Sequence, residues 1–448
     1  MNGIIYYQET QYLYVVKSNK LILNRTKDSS SHAYSDVMSF FQEDTTEVPA
    51  CLIGFDFTTN RNIKFYITSM FQTKICCYEC SFFSYLLFDD EIKEISKIQV
   101  EDGLLTNFHL YDDGLVKSFD FEDYAYKIKL NAAPDKFEFQ IHEHQVYGEL
   151  SSLFYWSSKK LQPYQIKTSL AFKFSATNDI QLIDNLLYNL NEFMHFITNT
   201  NRQKILKANL YDNNKKIGVY IINEVHNHST FEEMNTNIIP FGLIKNSLGS
   251  LFNNIANTKV YTNHIKEFEL NSGNLTYSRI IMLAAGFEWQ FNYLNYPVDQ
   301  DIQKKIEYKK TIESYLDSKI NVTQGNEKKY YKNIKKLINR DLESLTLSKK
   351  IRYALKNHEE ILKPFIFHLY KLNHLDYPKI HEVSERIAST RNIVAHGNLS
   401  KNIHENAVLD YQILQFLYYA MILKSLDLPT INIQKAIKNL FKVNISLE

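Results

Sequence analysis

The chain is poor in the residues that mark several classes of protein. Among its 448 residues are 12 glycines, 8 prolines and 4 cysteines. So little glycine and proline excludes collagen-like and low-complexity chains. Four cysteines are too few to hold a chain of this length together by disulfides, which favours a reducing compartment.

Long apolar runs and common catalytic motifs are missing as well. The longest apolar runs, such as FLYYAMIL (416–423), fall far short of the roughly 20 residues that a membrane-spanning helix needs. The first residues, MNGIIYYQET, lack a basic stretch followed by an apolar one, so we expect no signal peptide, no membrane contact and a cytoplasmic protein. The absence of a glycine-rich phosphate loop, of GxSxG and of HExxH argues against P-loop NTPases, α/β-hydrolases and zincins. We therefore expect no cofactor and no metal site.

The residues that are present favour folded domains with an uneven charge. Hydrophobic residues make up 44% of the chain and aromatic residues 14%, which is enough to fill buried cores. The formal net charge is +1, but the first 260 residues carry 24 basic and 30 acidic residues, whereas residues 261–448 carry 27 and 20. A basic second part is a modest indication of nucleic-acid binding there.

The pattern of apolar residues changes along the chain. In the first 175 residues, segments such as NIKFYITSMF and KFEFQIHEH alternate and are rich in β-branched and aromatic residues, which is typical of strands. One helix is predicted near 178–198 from apolar residues spaced three and four apart. From about residue 271 the period is helical, and the helix that contains Pro364 is predicted to be broken or kinked there. We therefore predict an α+β protein, with a β-rich domain over 1–270 followed by an all-α helical bundle over 271–448.

The stretch STRNIVAHGN, residues 389–398, is predicted to end one of these helices. The same helix is predicted to have an apolar stripe that faces the core, at a spacing of three and four residues: Ile380, Val383, Ile387, Thr390 and Val394. Gly397 suits the position just past the helix end. On an ideal helix Arg391 and His396 lie roughly 140° apart, whereas Asn392 and His396 share a face. An arginine can hold phosphate oxygens and a histidine can move protons near neutral pH, so the pair suits phosphodiester chemistry. The alternative is an ordinary helix end, where cationic residues are common.

The segment RNIVAHG resembles the motif of the HEPN superfamily. That motif is an arginine, usually a polar residue, a few further positions and then a histidine, in a late helix of a small helical bundle. Arg391, Asn392 and His396 fit it, and residues 275–445 have the right size and number of predicted helices. With the β-rich first part, and a strand leading into a long apolar helix over 164–197, the chain resembles the ApeA family of bacterial anti-phage proteins.

The resemblance implies a metal-independent RNA endonuclease. In that family the ribose 2′-OH attacks the neighbouring phosphate, two protomers pair so that both motifs line one cleft, and tRNA is the expected target. Carried over, Arg391 would neutralise the phosphate, His396 would act as general acid or base, and Asn392 would orient one of the two. The β-rich domain would sense a phage-derived trigger or restrain the nuclease, and the helical domain would form a homodimer or a higher homo-oligomer. The alternatives are a catalytically inactive HEPN-like module that binds RNA or a partner, and an interaction scaffold with no role on RNA.

A lysine-rich segment is the second candidate for function. Between Lys328 and Lys356 there are ten basic residues against two acidic ones. Tyr330 and Tyr331 lie among the lysines and would suit stacking on unpaired bases. An ordinary solvated helix face is an equal alternative. The residues that we predict to bind RNA are Lys328, Lys329, Lys332, Lys335, Lys336 and Arg340.

The cysteines offer a possible zinc site against a structural alternative. Cys77 and Cys80 form one CxxC, with Cys76 beside them and Cys51 distant in sequence. Four thiolates would suit zinc, but only one CxxC is present and it lies in strand-like sequence. Buried free cysteines are therefore the favoured interpretation.

Two histidine clusters and one glutamate complete the candidates. His142 and His144 are expected on one face of an exposed strand, with no third metal ligand assignable. The triplet HNH at 226–228 lacks the surroundings of the nuclease motif that it spells. Glu288 lies on an apolar helical segment, and we favour a solvent-facing position over a pairing with Arg391.

Overall fold

The computed structural model divides the chain into two compact units. Unit 1 comprises Met1–Ile197 with Arg202–Asn257, and unit 2 comprises Thr198–Asn201 with Thr258–Glu448. Unit 1 is rich in strands and unit 2 is helical, so the chain is an α+β protein, as predicted. The main segment of unit 2 begins at Thr258, 13 residues before the predicted domain start at 271. The structure describes residues 1–26, 48–74, 77–90, 94–110, 115–120, 125–130, 133–156, 164–200, 204–224, 237–266, 276–296, 300–342, 346–397 and 403–447.

The described strands of unit 1 form one large sheet and one small one. They are β1 (Asn2–Tyr7), β2 (Thr10–Lys17), β3 (Lys20–Arg25), β4 (Cys51–Asp56), β5 (Arg61–Lys74), β6 (Cys77–Phe88), β7 (Ile95–Glu101), β8 (Leu115–Asp120), β9 (Ala125–Leu130), β10 (Asp135–Ile141), β11 (His144–Trp156), β12 (Tyr164–Thr177), β13 (Lys207–Asp212) and β14 (Lys215–Ile222). Twelve strands pair in the order β10-β11-β12-β7-β13-β14-β6-β3-β2-β1-β4-β5, and β8 pairs with β9. Neighbouring strands run antiparallel, for example β1 with β2 and β4.

Six strands of the large sheet close on themselves. Strand β5 pairs with β4 on one side and with β6 on the other, so β6, β3, β2, β1, β4 and β5 form a ring. Alternate residues along these strands form its apolar core, where Ile5, Phe65 and Cys80 have no exposed surface. The Tyr14 hydroxyl donates to Asp56 Oδ1 at 2.8 Å, which gives this buried carboxylate a partner.

Four helices of unit 1 accompany the sheet within the described residues. They are α1 (Gly103–Leu110), α2 (Ile180–Thr198), α3 (Phe241–Ile244) and α4 (Leu248–Ala256). Helix α2 lies where the sequence predicts a helix near 178–198, and most of its residues are buried. Its Phe193 stacks on Phe252 of α4, with 4.3 Å between the ring centroids.

Helix α4 covers the edge strand β10. The Gln140 N–H donates to Asn253 Oδ1 at 3.3 Å, and Asn257 Nδ2 donates to the Gln140 carbonyl oxygen at 3.3 Å. Gly249 permits this approach, because a Cβ there would lie 2.4 Å from the carbonyl oxygen of Glu138. Backbone groups that an edge strand would otherwise leave open are thus bonded to amide side chains, which protects the edge from pairing with another chain.

Unit 2 is a helical bundle around one buried helix. Its described helices are α5 (Asn263–Lys266), α6 (Tyr277–Tyr293), α7 (Gln300–Val322), α8 (Gly325–Leu342), α9 (Leu347–Asn357), α10 (Glu359–Leu372), α11 (Ile380–Ala395), α12 (Ala407–Ser425) and α13 (Thr430–Phe441). Helix α12 is buried along most of its length, and α6, α10, α11 and α13 pack against it. Helices α7 and α8 pack mainly on each other. Within the described residues, no helix combines the length and the apolar character that crossing a membrane requires.

Of the break or kink predicted at Pro364, the break is wrong, because the helix continues through that residue. The break lies at His358, between α9 and α10, and Pro364 sits inside α10. A proline removes the N–H that would bond the carbonyl four residues earlier, here that of Glu360. Gln434 of α13 replaces it, because its Nε2 donates to the Glu360 carbonyl oxygen at 3.1 Å. A side chain 70 positions away in sequence therefore allows the helix to continue through the proline.

The segment that leads into unit 2 is fixed against α6 and α12. The Tyr261 N–H donates to Gln290 Oε1 at 3.3 Å, and the Tyr418 hydroxyl donates to the Tyr261 carbonyl oxygen. The Tyr261 ring is parallel to that of His264, with 6.1 Å between the centroids. Both rings lie over Gly286, where a Cβ would come within 2.9 Å of each. This position of α6 therefore requires the smallest residue.

Candidate functional site

Helix α11 carries the predicted catalytic residues at its end. Val383, Ile387, Thr390 and Val394 are buried, as the predicted apolar stripe requires, and Ile380 is half-buried. The predicted core-facing side of the helix is thus confirmed at four of its five positions. Ser384, next to Val383, is buried as well, whereas Glu385, Ser389 and Asn392 are exposed.

The helix ends at the predicted histidine and glycine. The His396 N–H donates to the Asn392 carbonyl oxygen at 3.1 Å, and the Gly397 N–H donates to that of Val394 at 3.1 Å. Gly397 has φ +65°, a left-handed conformation that glycine adopts without strain. His396 therefore caps the helix directly after its last residue, Ala395, and it is exposed.

Arg391 and Asn392 lie together off the buried stripe. Arg391 Nη1 donates to Asn392 Oδ1 at 3.1 Å. Arg391 is partly exposed and Asn392 is exposed. Of the two roles open to Asn392, orientation of the arginine or of the histidine, the side-chain hydrogen bond is made with the arginine. Within the described residues this guanidinium makes no further hydrogen bond, so its other N–H groups can meet an anion.

A buried ion pair anchors the middle of α11. Arg386 Nε donates to Asp410 Oδ2 at 2.9 Å and its Nη2 donates to Asp410 Oδ1 at 2.7 Å, so the pair is bidentate. The same Nη2 also donates to the Tyr370 hydroxyl at 2.7 Å. These hydrogen bonds raise the pKa of Arg386. Sequence reasoning missed this network, since the three residues come from α10, α11 and α12 and share no motif.

Glu288 does not pair with Arg391. Its Oε1 accepts a hydrogen bond at 2.6 Å from Lys350 Nζ of α9, whose side chain is only 6% exposed. The Glu288 side chain is 32% exposed, so the favoured solvent-side position is correct in part, but the glutamate also has a partner that was not predicted. The ion pair gives the buried lysine a counter-charge, which a buried ammonium group requires.

The lysine-rich segment forms α8, the second helix of a hairpin with α7. Lys329, Lys332 and Lys336 are exposed and lie on one face at a spacing of three and four residues. Lys335 instead turns to α7, where its Nζ bonds Asp317 Oδ1 at 2.6 Å. Lys328 is half-buried.

The structure therefore divides the predicted RNA-binding set. Three lysines form a common exposed face, and Lys335 is engaged within the hairpin. Arg340 belongs to α8, but its side chain lies outside the described residues. Of the two tyrosines, Tyr330 is 65% exposed, whereas Tyr331 is half-buried.

The described cysteines are free thiols in the ring of strands. Cys80 is buried, and burial raises the pKa of its thiol to about 12, which disfavours the thiolate that binds metals. Cys77 Sγ lies 3.2 Å from Asn24 Oδ1. Cys76 lies outside the described residues. Among the residues that the structure describes, no group of three or more metal-ligating side chains occurs.

The two histidine clusters do not form sites within the described chain. His142 lies in the two-residue turn between β10 and β11, with φ +50°, so the expectation that it shares a strand face with His144 is wrong. A polar pair at that point makes a tight hairpin turn rather than extending the strand. The triplet at 226–228 lies outside the described residues.

One buried polar chain in unit 1 has the residue types of a catalytic triad. His109 Nδ1 lies 2.8 Å from Ser152 Oγ, and His109 Nε2 lies 2.9 Å from Asp135 Oδ2. Burial acts to raise the pKa of Asp135, but hydrogen bonds from Lys245 and His109 outweigh it and lower the pKa. Ser152 Oγ lies 2.9 Å from Thr168 Oγ1, and Thr168 has no exposed surface. Because the serine end of this chain is buried, we assign the chain the structural role of joining α1 to the sheet.

Comparisons with known proteins identify no relative of the chain. No protein-family model, no curated protein and no solved structure matches the chain. The likeness of RNIVAHG to the HEPN motif therefore depends on those residues and on the helices that hold them.

Proposed function

We propose that unit 2 is a metal-independent RNA endonuclease of the HEPN type, acting in anti-phage defence. The observation that carries the proposal is the placement of three polar side chains. Arg391 and Asn392 lie side by side off the buried stripe of α11, and His396 stands at the exposed end of the same helix. None of the three helps to fill the core, so their side chains are available to a ligand.

The arrangement suits attack of a ribose 2′-OH on the adjacent phosphate. Arg391, oriented by Asn392, would hold and neutralise the phosphate as negative charge develops on its oxygens. His396 would take the proton of the 2′-OH or give a proton to the leaving oxygen, which typically contributes about 10²–10⁴-fold. The products would be a 2′,3′-cyclic phosphate and a 5′-hydroxyl, and tRNA is the proposed target.

The decisive experiment compares wild type with His396→Ala and Arg391→Ala. Each protein is expressed in bacteria with and without phage, and the RNA ends are sequenced for 2′,3′-cyclic termini. We expect such ends in wild type and in neither of these two variants. His381→Ala is the matched control, because His381 is an exposed histidine near the start of the same helix. RNA that stays intact in wild type under every challenge would refute cleavage, and loss of cleavage in EDTA would refute the metal-independent mechanism.

The exposed face of α8 supports a role in gripping RNA. Lys329, Lys332 and Lys336 can each neutralise one phosphate, and each contact to a single strand contributes about 0.7 to the slope of log K against log salt. Replacing all three by alanine should therefore lower that slope by about 2. Lys335→Ala is the matched control, because Asp317 already engages this lysine. Binding is measured by fluorescence anisotropy of labelled tRNA in the His396→Ala background, where the RNA stays whole.

The second candidate is a HEPN-like module that binds RNA without cutting it. The lysine face on its own would support this function. Such a module predicts salt-dependent binding, no new RNA ends, and no change on His396→Ala. In either case we propose a homodimer or a higher homo-oligomer through the helical unit, with the β-rich unit responding to a phage-derived trigger.

A further inference from the structure

The Arg386–Asp410 pair fixes the orientation of α11 about its own axis relative to α12. A planar guanidinium that donates two hydrogen bonds to one carboxylate permits a single relative orientation, unlike a lysine, which can be attracted from many directions. Arg386 precedes Arg391 by five residues, which is about 140° around the helix. With Arg386 directed at α12, the direction of Arg391 is fixed on the outer side.

The same pair anchors both ends of the connection that follows His396. Asp410 lies in the first turn of α12, where its N–H donates to the Asn406 carbonyl oxygen at 2.9 Å. Burial raises the pKa of Asp410, and the charges of Arg386 and His404 act in the opposite direction, which places His404 near this carboxylate as well. Helix α11 ends just before His396 and helix α12 begins just after Asn406. One ion pair, Arg386–Asp410, therefore joins the two helices.

A buried ion pair often contributes little net stability compared with apolar side chains. Taking both charges out of water costs several kcal/mol per ion, and well-packed apolar side chains of similar volume often serve as well or better. Asp410 is only 3% exposed at its side chain and Arg386 16%, so desolvation is nearly complete. The bidentate pair has one permitted geometry, and its desolvation costs free energy. Such a pair is well suited to fixing the orientation of α11 relative to α12.

We propose that Arg386 is a positioning residue for Arg391 and His396, holding the end of α11 and the start of α12 so that both exposed side chains keep one direction toward RNA. The inference rests on the proposed ribonuclease function for its catalytic consequence. Its structural consequence, a fixed end of α11, can be measured without RNA.

The test uses Arg386→Lys in the full chain, which keeps the charge and loses the fork. We expect kcat for tRNA cleavage to fall at least tenfold with KM nearly unchanged, because misplacement of catalytic groups acts on the chemical step. Hydrogen exchange at the amides of residues 391–397 should become faster. Tyr370→Phe, which removes one hydroxyl and keeps the ring, should shift both readouts in the same direction by less, and it covers the case in which Arg386→Lys fails to fold.

The matched control separates positioning from general loss of stability. Gly286→Ala strains the contact with Tyr261 and His264 and leaves Arg386 untouched. If it lowers stability as much as Arg386→Lys but leaves kcat and exchange at 391–397 as in wild type, positioning is supported. If Arg386→Lys folds with wild-type kcat and wild-type exchange, positioning is refuted. If wild type never cleaves RNA and exchange still rises in Arg386→Lys, the ribonuclease function fails while the role in fixing the end of α11 stands.

Discussion

Pro364 and Gln434 are expected to depend on each other energetically. Gln434 Nε2 bonds the Glu360 carbonyl oxygen at 3.1 Å, the group that Pro364 deprives of its helical partner. Gln434→Met keeps the length of the side chain and removes the donor. Leaving a partly buried carbonyl without a partner costs about 1–3 kcal/mol, so the free energy of unfolding should fall by about that amount.

The cost should nearly vanish once the proline is replaced. Pro364→Ala supplies an N–H four residues after Glu360, which can close the ordinary helical bond to the same carbonyl. In that background Gln434→Met removes a redundant donor. The coupling free energy of the pair should therefore be about 1–2 kcal/mol, within the range measured for residues that share a partner.

The assay is urea unfolding of the four proteins of the cycle, followed by helical circular dichroism. Lys435→Met is the matched control, since Lys435 is an exposed residue next to Gln434 on the same helix. It should be additive with Pro364→Ala. If the effects of Gln434→Met and Pro364→Ala also add within about 0.5 kcal/mol, the explanation of the uninterrupted helix is wrong.

Two further predictions concern buried positions of the bundle. Gly286→Ala should lower the free energy of unfolding by about 1–3 kcal/mol, as overpacking does, because the new Cβ would lie 2.9 Å from His264 Nδ1; an increase in the urea midpoint would contradict this. Burial, aided by the charge of Lys424, lowers the pKa of His358 from 6.5 to about 4. Between these pH values the unfolded chain therefore binds a proton at this histidine, whereas the native chain does not. The contribution of His358 to the free energy of unfolding should be fully present above pH 6.5 and should fall by up to about 3 kcal/mol towards pH 4. His358→Gln should flatten this part of the pH dependence in urea titrations at several pH values.

Much of the candidate site was predictable because it is local. The buried stripe of α11 follows from the helical period of 3.6 residues. The glycine after the helix follows from the need for positive φ, which glycine adopts without strain. The identity of the exposed lysines on α8 follows in part from the same periodicity. What periodicity does not contain is which lysine meets an acidic residue of the preceding helix, as Lys335 meets Asp317.

The parts that escaped prediction depend on residues far apart in sequence. Arg386 meets Asp410 across 24 positions, and Glu288 meets Lys350 across 62. A proline read alone predicts a broken helix, and only the position of Gln434 reverses that expectation. The order of the twelve strands is likewise set by pairing between distant segments, which no local pattern of alternation encodes.

The closed ring of strands bears on how the chain folds as it is synthesised. All six of its strands lie within residues 2–88, so the ring can form once that length has left the ribosome. Strand β7 then has to wait, because its two neighbours, β12 and β13, end only at residues 177 and 212. Domains generally fold in the order of synthesis, and pairings that span long stretches of chain form slowly. The ring is therefore expected to be the first part of the protein to resist proteases, well before the helices that carry Arg391 and His396 exist.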